Sequence, residues 1–177
     1  QGLGSTYKGK QAGTFGLAGV FSFYPAKILG TLGDGGMIIT DDDDFAKNVL
    51  QFRDHGRDNL DCNMWGRNSR LDNLHAAFLL FQFHDFMEAI NRRREIADMY
   101  LNGLDNINGL SLPFFDNDID HFDTFQNFEV LSDKRDELKA YLADNGIGTI
   151  IQWGGKAIHQ FANLELDRFS LPVTDNY

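Results

Sequence analysis

Apolar positions change their spacing several times along the chain, and each change marks an element. Two short apolar runs, Gly19–Phe23 and Met37–Thr40, lie within a glycine-rich segment over 1–40 and are each bounded by glycine or proline. Such runs predict short buried strands separated by tight turns. Over Asp41–His55, Phe45, Val49 and Phe52 recur at spacings of four and three, with acids first and Gly56 where a left-handed stop residue belongs. This predicts a helix. The Asp41–Asp44 run complements the positive end of that helix. It lacks the alternating ligands, central glycine and distal glutamate of a calcium loop.

After an irregular polar stretch over Asp58–Arg67, Ser69 and Asp72 form an S-x-x-D box ahead of Leu71, Leu74, Phe78 and Phe81, the pattern of a capped helix start. One long helix is expected from about 71 to about 102. Its first half is apolar nearly all round, which predicts burial on most sides, and Asn91–Glu95 reads as solvated. Gly103, Gly109, Pro113 and the acidic Asp116–Asp123 segment predict a boundary over 103–123. Beyond it, Phe125–Leu131 reads as a strand and Asp133–Asn145 as a helix with Leu138, Tyr141 and Leu142 inward and Gly146 as its stop. Ile147–Trp153 reads as another strand. No internal repeat is visible.

Composition narrows the class. A chain of 177 residues with 42% hydrophobic and 24% charged residues can bury a core, so disordered and low-complexity architectures are set aside. With 26 acidic against 16 basic residues the net charge is −10, which argues against nucleic acid or an anionic membrane as partner. The single cysteine, Cys62, permits no internal disulfide and no thiolate cluster, and a reducing cytoplasm is expected. The longest apolar stretch, Ala76–Phe86, is interrupted by Gln82, His84 and Asp85, so no membrane span is expected. His75, His84 and His121 lack metal-like partners and read as structural, and His55 as a residue favoured at a helix C-terminus; no metal site is expected. The chain begins at Gln1 without methionine or a signal segment and reads as an excerpt.

The most informative stretch runs from Ser22 to Gly36, SFYPAKILGTLGDGG. Lys27 stands between an apolar strand and a glycine-dense turn, where its ammonium would be partly desolvated. Desolvation disfavours the charged form and favours a nucleophilic free amine, the state in which a lysine forms a Schiff base. The same residues also fit a simple hairpin turn at Asp34-Gly35 with Lys27 as an ordinary surface residue.

The stretch SFYPAKILGTLGDGG, preceded by YKGKQAGTFG and followed by RDHGR and GRNSRLDNLHAAFL, closely resembles the DegT/DnrJ/EryC1/StrS family of nucleotide-sugar aminotransferases that use pyridoxal 5'-phosphate (PLP). The resemblance covers nearly the whole chain. It implies an α/β fold of the fold-type-I, aspartate aminotransferase-like class, with part of the large domain over 1–70, a long connecting helix over 71–102 and a partial small C-terminal α+β domain over 103–177. By position, Lys27 resembles the lysine that holds PLP and shuttles the proton. Ser22 matches the serine that hydrogen-bonds the cofactor phosphate, and Gln1 the glutamine that closes an Asp-x-x-Gln motif beside the pyridine ring. Asn68 matches the asparagine that reaches the phosphate of the neighbouring subunit's cofactor, which implies a homodimer with shared sites. The positive end of the helix that follows Asn68 suits an anion.

The resemblance has departures. The aspartate of the family's Asp-x-x-Gln would fall three positions before Gln1, and the family's phosphate-binding turn and ring-stacking aromatic also precede it. The 177 residues alone are therefore expected to be inactive, because PLP chemistry needs a protonated ring as electron sink. The C-terminal stretch Gly148–Gln160 lacks the family's usual proline before the histidine and looks most like members acting on dTDP-linked 3-keto-6-deoxyhexoses. Tyr24, Trp153, Lys156 and His159 are the candidate substrate-binding residues, with Trp153 as core and Lys156 as a solvated charge the alternative. The implied activity moves an amino group, from glutamate by expectation, to a keto-deoxysugar. Two alternatives stand beside it: a non-catalytic dimerising or nucleotide-sugar-binding remnant, and a PLP- or pyridoxamine-phosphate-dependent sugar dehydratase, which would lack the lysine.

Overall fold

The computed structural model describes residues 1–113, 120–166 and 168–175. The chain divides into two compact units, Gln1–Val130 and Leu131–Tyr177.

In the first unit, β1 (Thr6–Tyr7) pairs antiparallel with β2 (Lys10–Gln11), and β3 (Gly19–Ser22) with β4 (Gly36–Ile39). The two apolar runs of the glycine-rich segment are thus one hairpin, in register Gly19↔Ile39 to Ser22↔Gly36. Along β3 burial alternates, with Gly19 and Phe21 buried and Val20 and Ser22 exposed, as the period of two requires. Helix α1 (Asp43–Phe52) starts where Asp42 Oδ1 accepts from the Phe45 amide at 2.7 Å, and Asp43 and Asp44 occupy its first turn. It ends at Phe52, short of the expected His55; the left-handed residues His55 and Gly56, at φ 63° and 77°, turn the chain away beyond it, with the Gly56 N–H bonded to the Gln51 carbonyl at 2.8 Å. The hairpin of β5 (Arg57–Asp58) and β6 (Asp61–Cys62) follows.

The single helix expected over 71–102 is two helices, α2 (Asn73–Phe83) and α3 (Phe86–Leu104). The backbone tightens to i→i−3 bonds, His84 to Phe81 and Asp85 to Gln82, and Asp85 leaves helical geometry with ψ at 12°. The expected capping box is absent. The helix starts later, with Asp72 rather than Ser69 at the N-cap and without a side-chain bond, while the Ser69 backbone N–H bonds the Arg53 carbonyl at 2.8 Å. Nor is the first half of this stretch enclosed. Leu79 is buried, but Leu74, Leu80 and Phe81 stand exposed in this chain.

Phe23, Leu29, Leu79, Phe86 and Ile90 form the core, with Leu3, Ile28, Leu71 and Phe122 packed against it. On α3, Phe86, Ile90 and Ala97 lie on one stripe, and Ile90 is 0% exposed. After the short strand β7 (Leu110–Ser111), β8 (His121–Phe122) pairs with β1. The acidic loop expected over Asp116–Asp123 falls in part, over 116–119, outside the described residues. The strand expected over Phe125–Leu131 is irregular backbone up to Val130, because Phe125 adopts a φ of 48° and its amide bonds Asp123 Oδ1 at 3.0 Å rather than a ladder partner.

In the second unit, β9 (Leu131–Ser132) precedes α4 (Arg135–Asp144). Gly146, at φ 78°, follows it as expected. Leu138 and Leu142 are half-buried, whereas Tyr141, expected inward, is exposed. The strand expected over Ile147–Trp153 is absent: 147–151 is irregular backbone, and at Trp153 the chain enters three successive left-handed residues, Trp153, Gly154 and Gly155, which extended pairing does not admit. A 3₁₀ turn over Gln152–Gly155 replaces its end. Further turns over Ile158–Gln160 and Ala162–Leu164 lead to α5 (Pro172–Asp175). No helix among the described residues is long and apolar enough to cross a membrane.

Candidate active site

Lys27 sits on a closed loop between two core residues. Phe23 donates its N–H to the Gly35 carbonyl at 2.7 Å, and its own carbonyl accepts from the Thr31 N–H at 2.8 Å. Inside that closure the Lys27 N–H bonds the Tyr24 carbonyl at 2.9 Å in a tight turn. The turn folds onto Gly30, where a Cβ would stand 2.7 Å from the carbonyl oxygens of both Tyr24 and Pro25, so only glycine fits. Buried Phe23 and Leu29 thus tether both ends of the loop while Lys27 stays half-buried. Its Nζ has no hydrogen-bond or ion-pair partner among the described residues.

Ser22, the last residue of β3, is exposed, and its Oγ accepts from the Tyr24 N–H at 3.2 Å. The hydroxyl hydrogen is left to donate to an anion. Tyr24 is exposed beside it.

Two residues that carry no pattern in the sequence connect Gln1 to this loop. Gln1 Oε1 accepts from Asn127 Nδ2 at 3.4 Å. The neighbouring Gln126 donates from Nε2 to the Ala26 carbonyl and accepts at Oε1 from the Ile28 N–H, both at 2.9 Å. Arg93 of α3 in turn donates to the Gln126 carbonyl at 3.2 Å. A cleft of about 310 Å³ opens against Gln1, Gln126, Asn127 and Glu129; Lys27 is not in its lining.

Asn68 lies elsewhere in the same unit. It bridges Asp54 in an antiparallel pairing, with the amides of His55, Arg67 and Ser69 completing the short ladder. The Asp54 carboxylate takes Arg57 Nη2 on both oxygens, at 2.9 and 2.8 Å, and Arg70 Nη1 at 2.8 Å. The Arg57 hydrogen bond, helped by the charge of Arg70, holds the Asp54 carboxyl below the usual carboxylate range. Asn68 itself is exposed. No hydrogen bond among the described residues ties it to the Ser22–Lys27 loop.

In the second unit, Trp153 is 80% exposed at a φ of 51°, and Lys156 is also exposed. The His159 ring, only 8% exposed, places Nε2 2.7 Å from Asp175 Oδ1, and Gln160 Nε2 donates to the same oxygen at 3.1 Å. The His159 bond keeps Asp175 below its ordinary range. His159 Nδ1 is buried without a partner among the described residues.

The DegT/DnrJ/EryC1/StrS aminotransferase family matches the chain over residues 1–177. The chain belongs to this family. It is 37% identical over 155 residues to a pleiotropic regulatory protein of Geobacillus stearothermophilus, covering 86% of this chain and 41% of that protein. It is 35% identical over 154 residues to the dTDP-3-amino-3,4,6-trideoxy-alpha-D-glucose transaminase of Streptomyces venezuelae, covering 86% of this chain and 40% of the relative. The crystal structure of DesV from S. venezuelae, a complex with a ketimine intermediate, superposes with a TM-score of 0.85 at 32% identity, covering 96% of this chain and 44% of that one. The chain thus spans less than half the length of these relatives, and its mixed α/β architecture is part of the DegT/DnrJ/EryC1/StrS fold.

Within that family framework, the Lys27 loop and Gln1 share one hydrogen-bonded neighbourhood through Gln126 and Asn127. Spacing along the chain could not reveal it.

Proposed function

We propose that the whole protein is a PLP-dependent aminotransferase that places an amino group on the keto carbon of a nucleotide-linked deoxysugar. The observation that carries the reading is Lys27, a half-buried lysine on a loop tethered at both ends in the core, its amine unpartnered among the described residues.

The donor set fits the cofactor. Lys27 Nζ is a nucleophile for an aldehyde carbon, the Ser22 hydroxyl retains a hydrogen for a phosphate oxygen, and Gln1 offers an amide for the ring side. Bound there, PLP supplies an electron-withdrawing ring that stabilises negative charge on the adjoining carbon. Lys27 Nζ, once displaced by the donor's amine, would be the base that takes a proton from the donor's α-carbon and delivers it two bonds away, to the carbon on the far side of the amine nitrogen. The family members named as transaminases of dTDP-3-amino sugars support a dTDP-linked 3-keto-6-deoxyhexose as acceptor, with glutamate as donor. Tyr24, Trp153, Lys156 and His159 are the residues assigned to the sugar nucleotide. The working form is a cytoplasmic homodimer, in which Asn68 reaches the phosphate site of the partner.

Borohydride reduction of the PLP-treated whole protein, followed by peptide mapping, is expected to place the pyridoxyl group on Lys27. With glutamate and a panel of nucleotide-linked ketosugars, 2-oxoglutarate should form and should be lost in Lys27→Ala. A label on another lysine, or turnover retained in Lys27→Ala, overturns the reading.

A further inference from the structure

We propose that Gln126 is the positioning residue for Lys27, a clamp that fixes the direction in which the amine is presented. The inference rests on the proposed function for the identity of the aldehyde that Lys27 meets, and it adds a residue to that same site.

The geometry is specific. The Ala26 carbonyl belongs to the peptide group before the Lys27 Cα, and the Ile28 N–H belongs to the peptide group after it. Peptide groups are planar, so a residue has only two soft backbone rotations, one on each side of its Cα. The Gln126 amide holds the peptide on the N-terminal side through Nε2 and the one on the C-terminal side through Oε1, both at 2.9 Å. One planar amide thereby restrains both rotations of Lys27, and with them the direction of its Cα–Cβ bond.

Only one orientation of the amide serves, because the Ala26 oxygen can only accept and the Ile28 nitrogen can only donate. The clamp is itself anchored. Arg93 Nη1 donates to the carbonyls of Phe125 and Gln126, each at 3.2 Å, and Thr124 and Phe125 just before it are buried. The core side chains of Phe23 and Leu29 locate the loop, and Gln126 sets its twist at Lys27. A reacting group held in one direction reacts faster than one that must first find it.

The test compares the whole protein with Gln126→Ala and Gln126→Glu. Glu keeps an acceptor for the Ile28 N–H but cannot donate to the Ala26 carbonyl. Cofactor-free protein is pulsed with PLP, quenched with borohydride and mapped by mass spectrometry, with exposed Lys134 as the internal reference. Losing two hydrogen bonds at the loop is expected to slow Lys27 labelling about ten-fold relative to Lys134 in Gln126→Ala. The loss in Gln126→Glu should be smaller, and hydrogen exchange of the Ile28 amide should quicken in Gln126→Ala and stay near wild type in Gln126→Glu. Melting temperature should stay close to wild type, and the pH profile of the Lys27-bound cofactor absorbance should move. Unchanged labelling and an unchanged profile overturn the proposal; if Gln126→Ala does not fold, wild-type Lys27 labelling together with an unchanged profile in Gln126→Glu overturns it equally. If wild type itself takes no label on Lys27, the functional reading falls, and the clamp is judged by Ile28 exchange alone, where wild-type rates in Gln126→Ala overturn it.

Discussion

Asp54 Oδ1 accepts from Arg70 Nη1 at 2.8 Å across sixteen residues of sequence, and this pair pins the segment carrying Asn68 to the end of α1. The same carboxylate takes both hydrogen bonds of Arg57, so one acid organises the turn after the helix and the strand-like stretch that returns to it. Asn68 points from that stretch with its backbone paired to Asp54, which gives an exposed side chain a fixed origin.

Replacing Asp54 with Asn should therefore loosen this ladder while leaving the β3–β4 hairpin intact. The Asp54 carboxyl is held below its ordinary value of 3.8 by Arg57 first and Arg70 next. A lowered folded value means that the contribution is fully present above about pH 3.8 and is lost as pH falls through the folded value. Hydrogen exchange at His55, Arg67 and Ser69 should be faster in Asp54→Asn at neutral pH and converge with wild type below the folded value. Equal protection at neutral pH would show that the backbone ladder stands without the carboxylate.

The break between α2 and α3 carries the opposite dependence. His84 Nδ1 lies 2.6 Å from Asp85 Oδ1, and that hydrogen bond, with the Asp85 charge, raises the imidazole above its ordinary 6.5. A raised folded value gives stabilisation that is complete below about pH 6.5 and fades as pH rises through the folded value. In an NMR titration the His84 midpoint should exceed 6.5 and return towards it in Asp85→Asn. Both side chains are exposed, so the effect on melting temperature should be small. A midpoint indifferent to Asp85→Asn refutes the pairing in solution.

What the sequence made legible was local. The apolar runs over Gly19–Phe23 and Met37–Thr40 and the acids at the start of α1 act over a few residues, and strands and a helix stand where they point; the burial expected of the two strands is only partial, since Val20, Met37 and Ile38 are exposed in this chain. The break at His84-Asp85 carries no glycine or proline, so nothing in the 71–102 pattern announces it; only the tightened backbone bonds and the Asp85 dihedrals reveal it. Ile147–Trp153 has an apolar run suited to a strand, but 147–151 is irregular and the backbone turns left-handed from Trp153 to Gly155, so no strand forms there. Lys27 stood out because its whole neighbourhood of glycines and apolar residues is contiguous. Gln126 did not, since its partners are backbone groups 98 and 100 residues away, and backbone groups have no sequence signature.

Gly30→Ala should separate loop shape from overall folding. The added methyl would meet two backbone carbonyl oxygens at 2.7 Å, and backbone cannot swing aside as a flexible side chain does. A cost of ~1–3 kcal/mol is expected, with reduced pyridoxyl labelling of Lys27. Ile90→Ala, at a fully buried position, should cost ~2–5 kcal/mol and alter Lys27 labelling only through global unfolding. Chemical denaturation and labelling measured side by side distinguish the two; a stable, normally labelled Gly30→Ala would mean that the loop has room the close approach denies.

Asn68 offers a test of shared sites that needs no knowledge of the sugar. In a homodimer in which Asn68 serves the partner's cofactor, each site takes Lys27 from one subunit and Asn68 from the other. Mixing Asn68→Ala with Lys27→Ala then creates a heterodimer whose one site has both residues intact and whose other site has neither. Random exchange of equal amounts makes half the dimers mixed, each with one good site, so activity should recover to about a quarter of wild type, above the sum of the two parents. With exchange verified by differently tagged subunits, activity no greater than that sum means that Asn68 acts within its own subunit or away from the cofactor. The fixed origin that Asp54 gives Asn68 predicts one more outcome: adding Asp54→Asn to the chain that contributes the intact Asn68 should lower the recovered activity, whereas the same change in the chain carrying Asn68→Ala should leave it untouched.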